Sequence, residues 1–236
     1  MSFDRTIRTA LVATVLALAG GVLVAPATAA ERTVAAGSST AAETPRVLTD
    51  DCADGRVGRR VLVVGDSITV LSQATLERAL GRAGWSVCVD ARRGETTRGA
   101  LDNYAEAAAF PAYVDVVVMA TGTNDWADPS GFVAQVARAR AYATGRPLLW
   151  VTTWLHPTRF TGRAADRALA AARRVNAVIW KHVERARRGT VVDWYAELSA
   201  GRGRPRALLY DGVHPTELGG RQRSALVAAA LGRLVR

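Results

Sequence analysis

Short apolar runs rich in β-branched residues, each followed by a helical stretch, constrain this chain more than any other feature. Val61–Val64, Trp85–Val89, Val114–Ala120, Pro147–Thr153 and Thr190–Asp193 read as strands, the third most strongly. Thr69–Arg82, Arg98–Ala109, Phe132–Tyr142, Ala164–Arg187 and Thr216–Leu234 read as helices. Leu71, Leu76 and Leu80 mark the apolar positions of the first. Gly84 ends that helix, Phe110-Pro111 closes the second, and Gly145 caps the third. Regular alternation of strand and helix predicts a parallel sheet covered by helices on both faces. In such sheets the site lies at the carboxyl ends of the strands.

The 236 residues, 49% of them apolar, suffice for one such domain with extra segments. The domain is expected over residues 57–236. Residues 1–29 read as a signal peptide: Arg5 and Arg8 are basic, Ala10–Val24 is apolar, and Ala27-Thr28-Ala29 is a small-residue cleavage site. The apolar run is shorter than the ~20 residues of a membrane-spanning helix. A secreted protein without stable membrane insertion after processing is therefore expected. Residues 30–56 begin as an Ala/Thr/Ser/Glu-rich stretch without apolar periodicity and read as a linker and N-terminal extension. Cys52 and Cys88 are the two cysteines, an even count that in an exported chain predicts one disulfide.

The formal net charge is +10. A basic surface could attract anionic polymers, membranes or nucleic acid. Against that, Lys181 is the single lysine and the arginines are scattered along the chain. Codon bias accounts for that pattern, and no nucleic-acid partner is expected. Nothing in the sequence suggests a metal cluster, a phosphate-binding loop or a dinucleotide fingerprint, so no metal or cofactor is expected.

Polar clusters follow the strand ends. Ser67 follows the first, Gly94 the second, Gly122-Thr123-Asn124-Asp125 the third, and Trp154 and His156 the fourth. Asp211 and His214 precede the last helix. Ser67 stands at a strand-to-helix turn, where free N–H groups favour negative charge; it is either a nucleophile or a helix cap. His214 follows Asp211 by three residues, a spacing that lets a carboxylate reach Nδ1 and leaves Nε2 free for a serine proton. The other reading is a surface turn capping the last helix. His156 is the competing base, while His182 lies mid-helix. Asp66, Asp115 and Asp125 read as braces for loops at strand ends.

Gly65-Asp66-Ser67-Ile68, Gly94, Gly122-Thr123-Asn124-Asp125 and Asp211-Gly212-Val213-His214-Pro215 together resemble the four blocks of the SGNH, or GDSL-type, hydrolases, in the family's order. Ile68, where that family has leucine, is the one departure and a mild one. The resemblance implies a flavodoxin-like three-layer α/β/α sandwich with a five-stranded parallel sheet and no cofactor. It implies Ser67 as nucleophile, His214 as base and then acid, and Asp211 as the group that orients His214. It implies an oxyanion hole from the N–H groups of Ser67 and Gly94 and the Asn124 amide. The expected function is a serine ester hydrolase acting on a small-molecule or polymer-linked ester, and a monomer is expected. An acyltransferase of the same fold acting on envelope sugars, or a non-catalytic envelope-binding module, are the alternatives. Trp126, Trp154 and His156, with Phe160, are possible substrate contacts; Arg202, Arg204 and Arg206 could meet an anionic substrate.

Overall fold

The computed structural model describes residues 46–48, 58–184, 188–201 and 203–234. The expected signal peptide, most of the linker and Cys52 lie outside them.

The sheet has six strands: β1 (Val47–Leu48), β2 (Arg59–Gly65), β3 (Trp85–Ala91), β4 (Val116–Ala120), β5 (Leu148–Val151) and β6 (Gly189–Val192). Their order is β1-β3-β2-β4-β5-β6. The five strands from β2 onward are parallel. Counted among themselves they run 2-1-3-4-5, the flavodoxin-like order that reverses beside the first strand. The sixth strand, β1, falls in the segment expected to be a linker. It pairs antiparallel with β3, Val47 opposite Ala91 and Leu48 opposite Asp90. Arg46 fastens it there, its Nε and Nη2 each 2.5 Å from an oxygen of the Asp90 carboxylate.

The helices are α1 (Ser67–Arg82), α2 (Thr97–Asp102), α3 (Pro129–Tyr142), α4 (Arg163–Ile179), α5 (Trp194–Ser199), α6 (Arg204–Leu208) and α7 (Glu217–Leu234). A 3₁₀ segment covers Thr123–Ala127 and a π segment, Trp180–Glu184, extends α4. Strand side chains alternate between faces, so each strand feeds two cores. Val61, Val63, Val118 and Leu149 pack with Leu76 and Leu80 of α1 and Val227 and Leu231 of α7. Leu62, Val64, Met119 and Trp150 pack with Phe132 and Val136 of α3 and Val175 and Ile179 of α4. This double burial explains strands that read as continuous apolar runs. Leu71, one of the apolar positions of the first helix, is 39% exposed and outside the core.

The second helix is shorter than the sequence predicts. It ends at Asp102 because Tyr104 turns its hydroxyl onto Asp90 and packs its ring edge-on against Phe110, centroids 5.0 Å apart. These anchors override the helix propensity of the alanines that follow.

Trp150 carries the α3/α4 core. It is fully buried, packs edge-on against Phe132 at 5.5 Å, and donates from Nε1 to the Thr121 carbonyl at 3.1 Å. Trp150→Ala is expected to cost about 3–5 kcal/mol. Denaturant unfolding should show the midpoint falling accordingly; a loss below about 1 kcal/mol would contradict this packing account.

Candidate active site

Asp66 and Ser67 stand where β2 passes into α1. Asp66 is the N-cap, its Oδ1 accepting from the Ile68 N–H at 2.9 Å. Ser67 is the first helical residue and is 9% exposed. Its Oγ lies 2.9 Å from His214 Nε2, and His214 Nδ1 lies 2.7 Å from Asp211 Oδ2. Asp211 and His214 are therefore neither a cap for the last helix nor an isolated surface turn. Tyr210 stacks on the His214 ring, centroids 5.8 Å apart and planes 18° from parallel.

The turn that carries Asp211 and His214 is closed from within and braced from outside. Asp211 Oδ1 accepts from the N–H groups of His214 (2.7 Å) and Val213 (3.0 Å). The Tyr210 N–H donates to the His214 carbonyl at 3.0 Å, and Leu209 bridges Pro215. The segment leaving β5 docks against it: His156 N–H donates to Gly212 O at 3.2 Å and Thr158 N–H to Asp211 O at 2.8 Å. Gly212 is required twice over. Its φ is +79°, and a Cβ there would stand 1.9 Å from the His156 carbonyl oxygen. His156 thus supports the turn through its backbone, and the imidazole hydrogen-bonded to Ser67 is that of His214.

Burial pushes the Asp211 carboxyl up, but hydrogen bonds from the His214 backbone and ring and from the Val213 N–H outweigh it and hold the group below the ordinary range. Asp211 therefore stays ionised opposite the imidazole.

Asn124 lines the same cleft as Ser67, and Gly94 follows the neighbouring strand β3. Gly94 has φ +74° with open space where a Cβ would stand, so its glycine answers backbone conformation rather than a crowded approach by the protein. Asn124 sits in the 3₁₀ segment after β4 and donates one Nδ2–H to the Glu95 carbonyl at 2.8 Å. That bond fixes the amide beside Gly94 and leaves its second N–H for a ligand. The supporting carboxylates behave as braces. Asp125 accepts from the Thr97 N–H and hydroxyl at 3.0 and 2.9 Å. Asp115 accepts from the Arg60 N–H at 2.7 Å.

Ser67, Asn124, Trp126, Leu155, Phe160 and His214 are among the residues around a cleft of about 200 Å³. Trp126 is 44% exposed at its rim. Trp154 and His156, expected as contacts beside it, line a separate adjoining cavity of about 870 Å³. Trp154 is displaced because its ring packs against Tyr195, centroids 5.2 Å apart. Another cavity, about 520 Å³, lies where β5 and β6 begin, at the opposite edge of the sheet, and carries none of these residues. Of the three arginines before Tyr210, Arg206 lines the adjoining cavity, Arg204 pairs with Glu197, and Arg202 lies outside the described residues.

Sequence reasoning missed Tyr210 and Arg223. Arg223, on α7, is 4% exposed and its charge faces Asp66. No local pattern distinguishes it from the other arginines. Among the described residues no group of side chains has the makings of a metal site, and no helix is long and apolar enough to cross a membrane.

A parallel sheet in this strand order, with Ser, His and Asp in hydrogen-bond series at its carboxyl edge, defines a class of α/β proteins with a hydrolase-type triad. The chain belongs to the GDSL-like lipase/acylhydrolase family, which its residues 63–222 match. No curated protein is recognisably similar in sequence. Solved structures share the fold. The lipase/acylhydrolase from Enterococcus faecalis aligns over 74% of this chain and 96% of its own, at TM-score 0.60 and 20% identity. The C-terminal catalytic domain of Streptococcus pneumoniae peptidoglycan O-acetyltransferase A aligns over 75% and 94%, at 0.58 and 19%. An acetyl xylan esterase aligns over 73% and 99%, at 0.54 and 14%.

Asp66 provides a test of the site's electrostatics. Burial raises its carboxyl to about 6, against the opposing pull of the Ile68 N–H and Arg223. A carboxyl raised in the folded state favours folding fully below its unfolded value of about 3.9, and that contribution is lost as pH rises through about 6. Asp66→Asn keeps the Oδ1 cap and removes the titration. Relative to wild type, the variant should therefore gain about 2 kcal/mol between pH 4 and pH 7. Denaturant midpoints at the two pH values measure it; parallel wild-type and variant profiles would refute the shift.

Proposed function

We propose that this chain is a secreted serine ester hydrolase that cleaves carboxylic esters through an acyl-enzyme on Ser67. The observation that carries the reading is the unbroken series Ser67 Oγ–His214 Nε2 at 2.9 Å and His214 Nδ1–Asp211 Oδ2 at 2.7 Å, at the wall of a cleft.

Serine is a weak nucleophile unless a base takes its proton as it attacks. His214 Nε2 takes that proton while Ser67 Oγ bonds to the ester carbonyl carbon. Asp211 holds the tautomer that keeps Nε2 free and stabilises the imidazolium. The N–H groups of Ser67 and Gly94 and the free Asn124 N–H receive the carbonyl oxygen as it becomes negative. His214 then passes the proton to the alcohol oxygen, the C–O bond breaks, and water repeats the sequence to release the acid.

The cleft of about 200 Å³ suits a short acyl group. An O-acyl ester also agrees with the names of two fold neighbours, the acetyl xylan esterase and the peptidoglycan O-acetyltransferase. Export through residues 1–29 and a Cys52–Cys88 disulfide belong to the same proposal. Cys88 is buried in β3, while Cys52 lies outside the described residues. Processing near Ala29 leaves a soluble chain acting on a small or polymer-linked ester.

Ser67→Ala and His214→Ala should each lower kcat by about 10⁶, and the double variant should be little worse than either, as for groups that act as a unit. Asn124→Ala should lower kcat by about 10²–10³ with KM little changed. A serine-directed phosphonate should label Ser67. Hydrolysis of p-nitrophenyl acetate reads the rates. Loss of hydrolysis in His156→Ala with retention in His214→Ala would overturn the assignment.

A further inference from the structure

The cavity at the opposite edge of the sheet has no part in the chemistry just described. It opens where α3 ends and β5 and β6 begin, and its volume of about 520 Å³ is within the range of small-molecule sites. Three arginines far apart in sequence meet in its wall: Arg140 from the last turn of α3, Arg146 from the turn before β5, and Arg188 from the position just before β6. No carboxylate is among the residues that line it. None of the three arginines makes an ion pair among the described residues.

The three differ in what they offer. Arg146 is tied down. Its Nε donates to the Ala143 carbonyl at 2.9 Å, its Nη1 to the Pro111 and Val114 carbonyls, and its Nη2 to the Phe110 carbonyl at 3.0 Å and the Thr144 hydroxyl at 2.9 Å. Every nitrogen of the guanidinium is engaged, all by neutral oxygens, so its charge stands in the wall without an anion. Burial, opposed by no carboxylate, pulls its pKa down. Arg188 uses one nitrogen, Nη1, on the Gly145 carbonyl at 3.0 Å. Its Nε and Nη2, and the whole guanidinium of the exposed Arg140, have no acceptor among the described residues. Thr144 accepts from Arg146 and so keeps its own O–H to donate.

A cation in the last turn of a helix answers the helix dipole, and that accounts for Arg140 taken alone. It does not account for Arg188, which precedes a strand, or for three positive charges around one cavity without a counter-charge. Like charges held together repel, and an anion between them removes that cost. The donors come from three directions: the end of α3, the 143–145 turn and the start of β6. A carboxylate has two oxygens in one plane, whereas phosphate oxygens point to the corners of a tetrahedron and meet guanidinium forks from several sides. The cavity is larger than a phosphate alone fills. Lys181, exposed on the π segment that also contributes Val183 to the wall, carries positive charge on beyond it. Glu184, the acidic residue of that segment, is not among the lining residues. No aromatic side chain lines the cavity, so nothing in the wall stacks a nucleic-acid base.

We propose that this cavity is an anion site for one phosphate of a base-free, phosphate-bearing polymer chain, with Arg140 and Arg188 as donors and Arg146 as a fixed charge. A chain held there leaves the carboxyl edge of the sheet, with Ser67, open. The site is independent of the ester-hydrolase reading and stands if that reading fails.

Calorimetric titration of the purified protein with linear polyphosphate tests it, at about 0.1 M salt, where charges beyond about 10 Å are screened. Arg140→Gln and Arg188→Gln should each weaken binding at least tenfold. Arg78→Gln and Arg82→Gln remove the same charge from a separate cavity between α1 and α7 and should leave binding within threefold of wild type. Equal weakening by all four variants reduces the binding to general attraction and overturns the site. In wild-type protein the side-chain Nε–H resonances of Arg140 and Arg188 should shift on adding polyphosphate while those of Arg78 and Arg82 stay; the reverse pattern overturns it. Inorganic phosphate should bind at least tenfold more weakly than the chain, and equal affinity overturns the polymer as the source. Poly-L-glutamate binding as tightly as polyphosphate overturns the choice of phosphate, and tighter binding of single-stranded DNA overturns the base-free chain. No binding of polyphosphate overturns the proposal as a whole.

Discussion

In-register parallel pairing of the central strands sets the level at which the chain leaves the sheet, and the site depends on that level. Gly65 at the end of β2 lies opposite Ala91 of β3 and Ala120 of β4. Three consecutive exits therefore open at one height. Ser67 comes from the first, Gly94 from the second and Asn124 from the third. The Asn124–Glu95 hydrogen bond ties the second exit to the third, and Thr97 on Asp125 ties them again one step further from the sheet. The three exits are thus held by the sheet and by each other before any substrate arrives, the electrostatic preorganisation that the oxyanion role proposed for Ser67, Gly94 and Asn124 requires.

The other two residues of the hydrogen-bonded series reach the same edge by another route. Asp211 and His214 lie after α6, and no strand delivers them. Their turn is held by the segment that leaves β5, through backbone bonds from His156 and Thr158. Asp211 divides its oxygens between two tasks. Oδ1 closes the turn on two N–H groups, and Oδ2 meets the imidazole. An imidazole placed this way has its ring plane fixed before it meets Ser67, with Tyr210 lying across its face.

The sequence was most legible where chemistry or strand burial narrows the residue choice. Strands flanked by helices on both faces had to be apolar throughout, and β2, β4 and β5 read that way. The motif glycines, Ser67, Asn124, Asp211 and His214 were legible because the family's blocks restrict the residue type at each of them. Features set by distant contacts were not. α5 and α6, of six and five residues, are too short to show a helical period. The strand β1 depends on Arg46 meeting Asp90, 44 residues away. The end of α2 depends on Tyr104 meeting Asp90 and Phe110. Trp154 and His156 were correctly placed after β5, but which cavity each would line depended on the packing of Tyr195 and on the docking of residue 212. Neither leaves a mark in the local sequence.

Behind Ser67 the protein keeps two opposite charges out of water. Asp66 is fully buried and Arg223 nearly so, and each is pulled toward its neutral form by burial while the other's field resists. Asp66 Oδ2, Arg223 Nε and the neighbouring Thr69 Oγ1 have no hydrogen-bond partner among the described residues. Such an arrangement is a poor source of stability, since a well-packed apolar replacement of a buried pair is often no worse. Its value lies in position. Asp66 caps the helix on which Ser67 is the first residue, so whatever fixes Asp66 fixes the serine backbone. That same backbone carries the N–H proposed as one of the oxyanion donors. A charge on α7 thereby bears on the geometry of a residue on α1, and it does so through the cap without touching the reacting atoms.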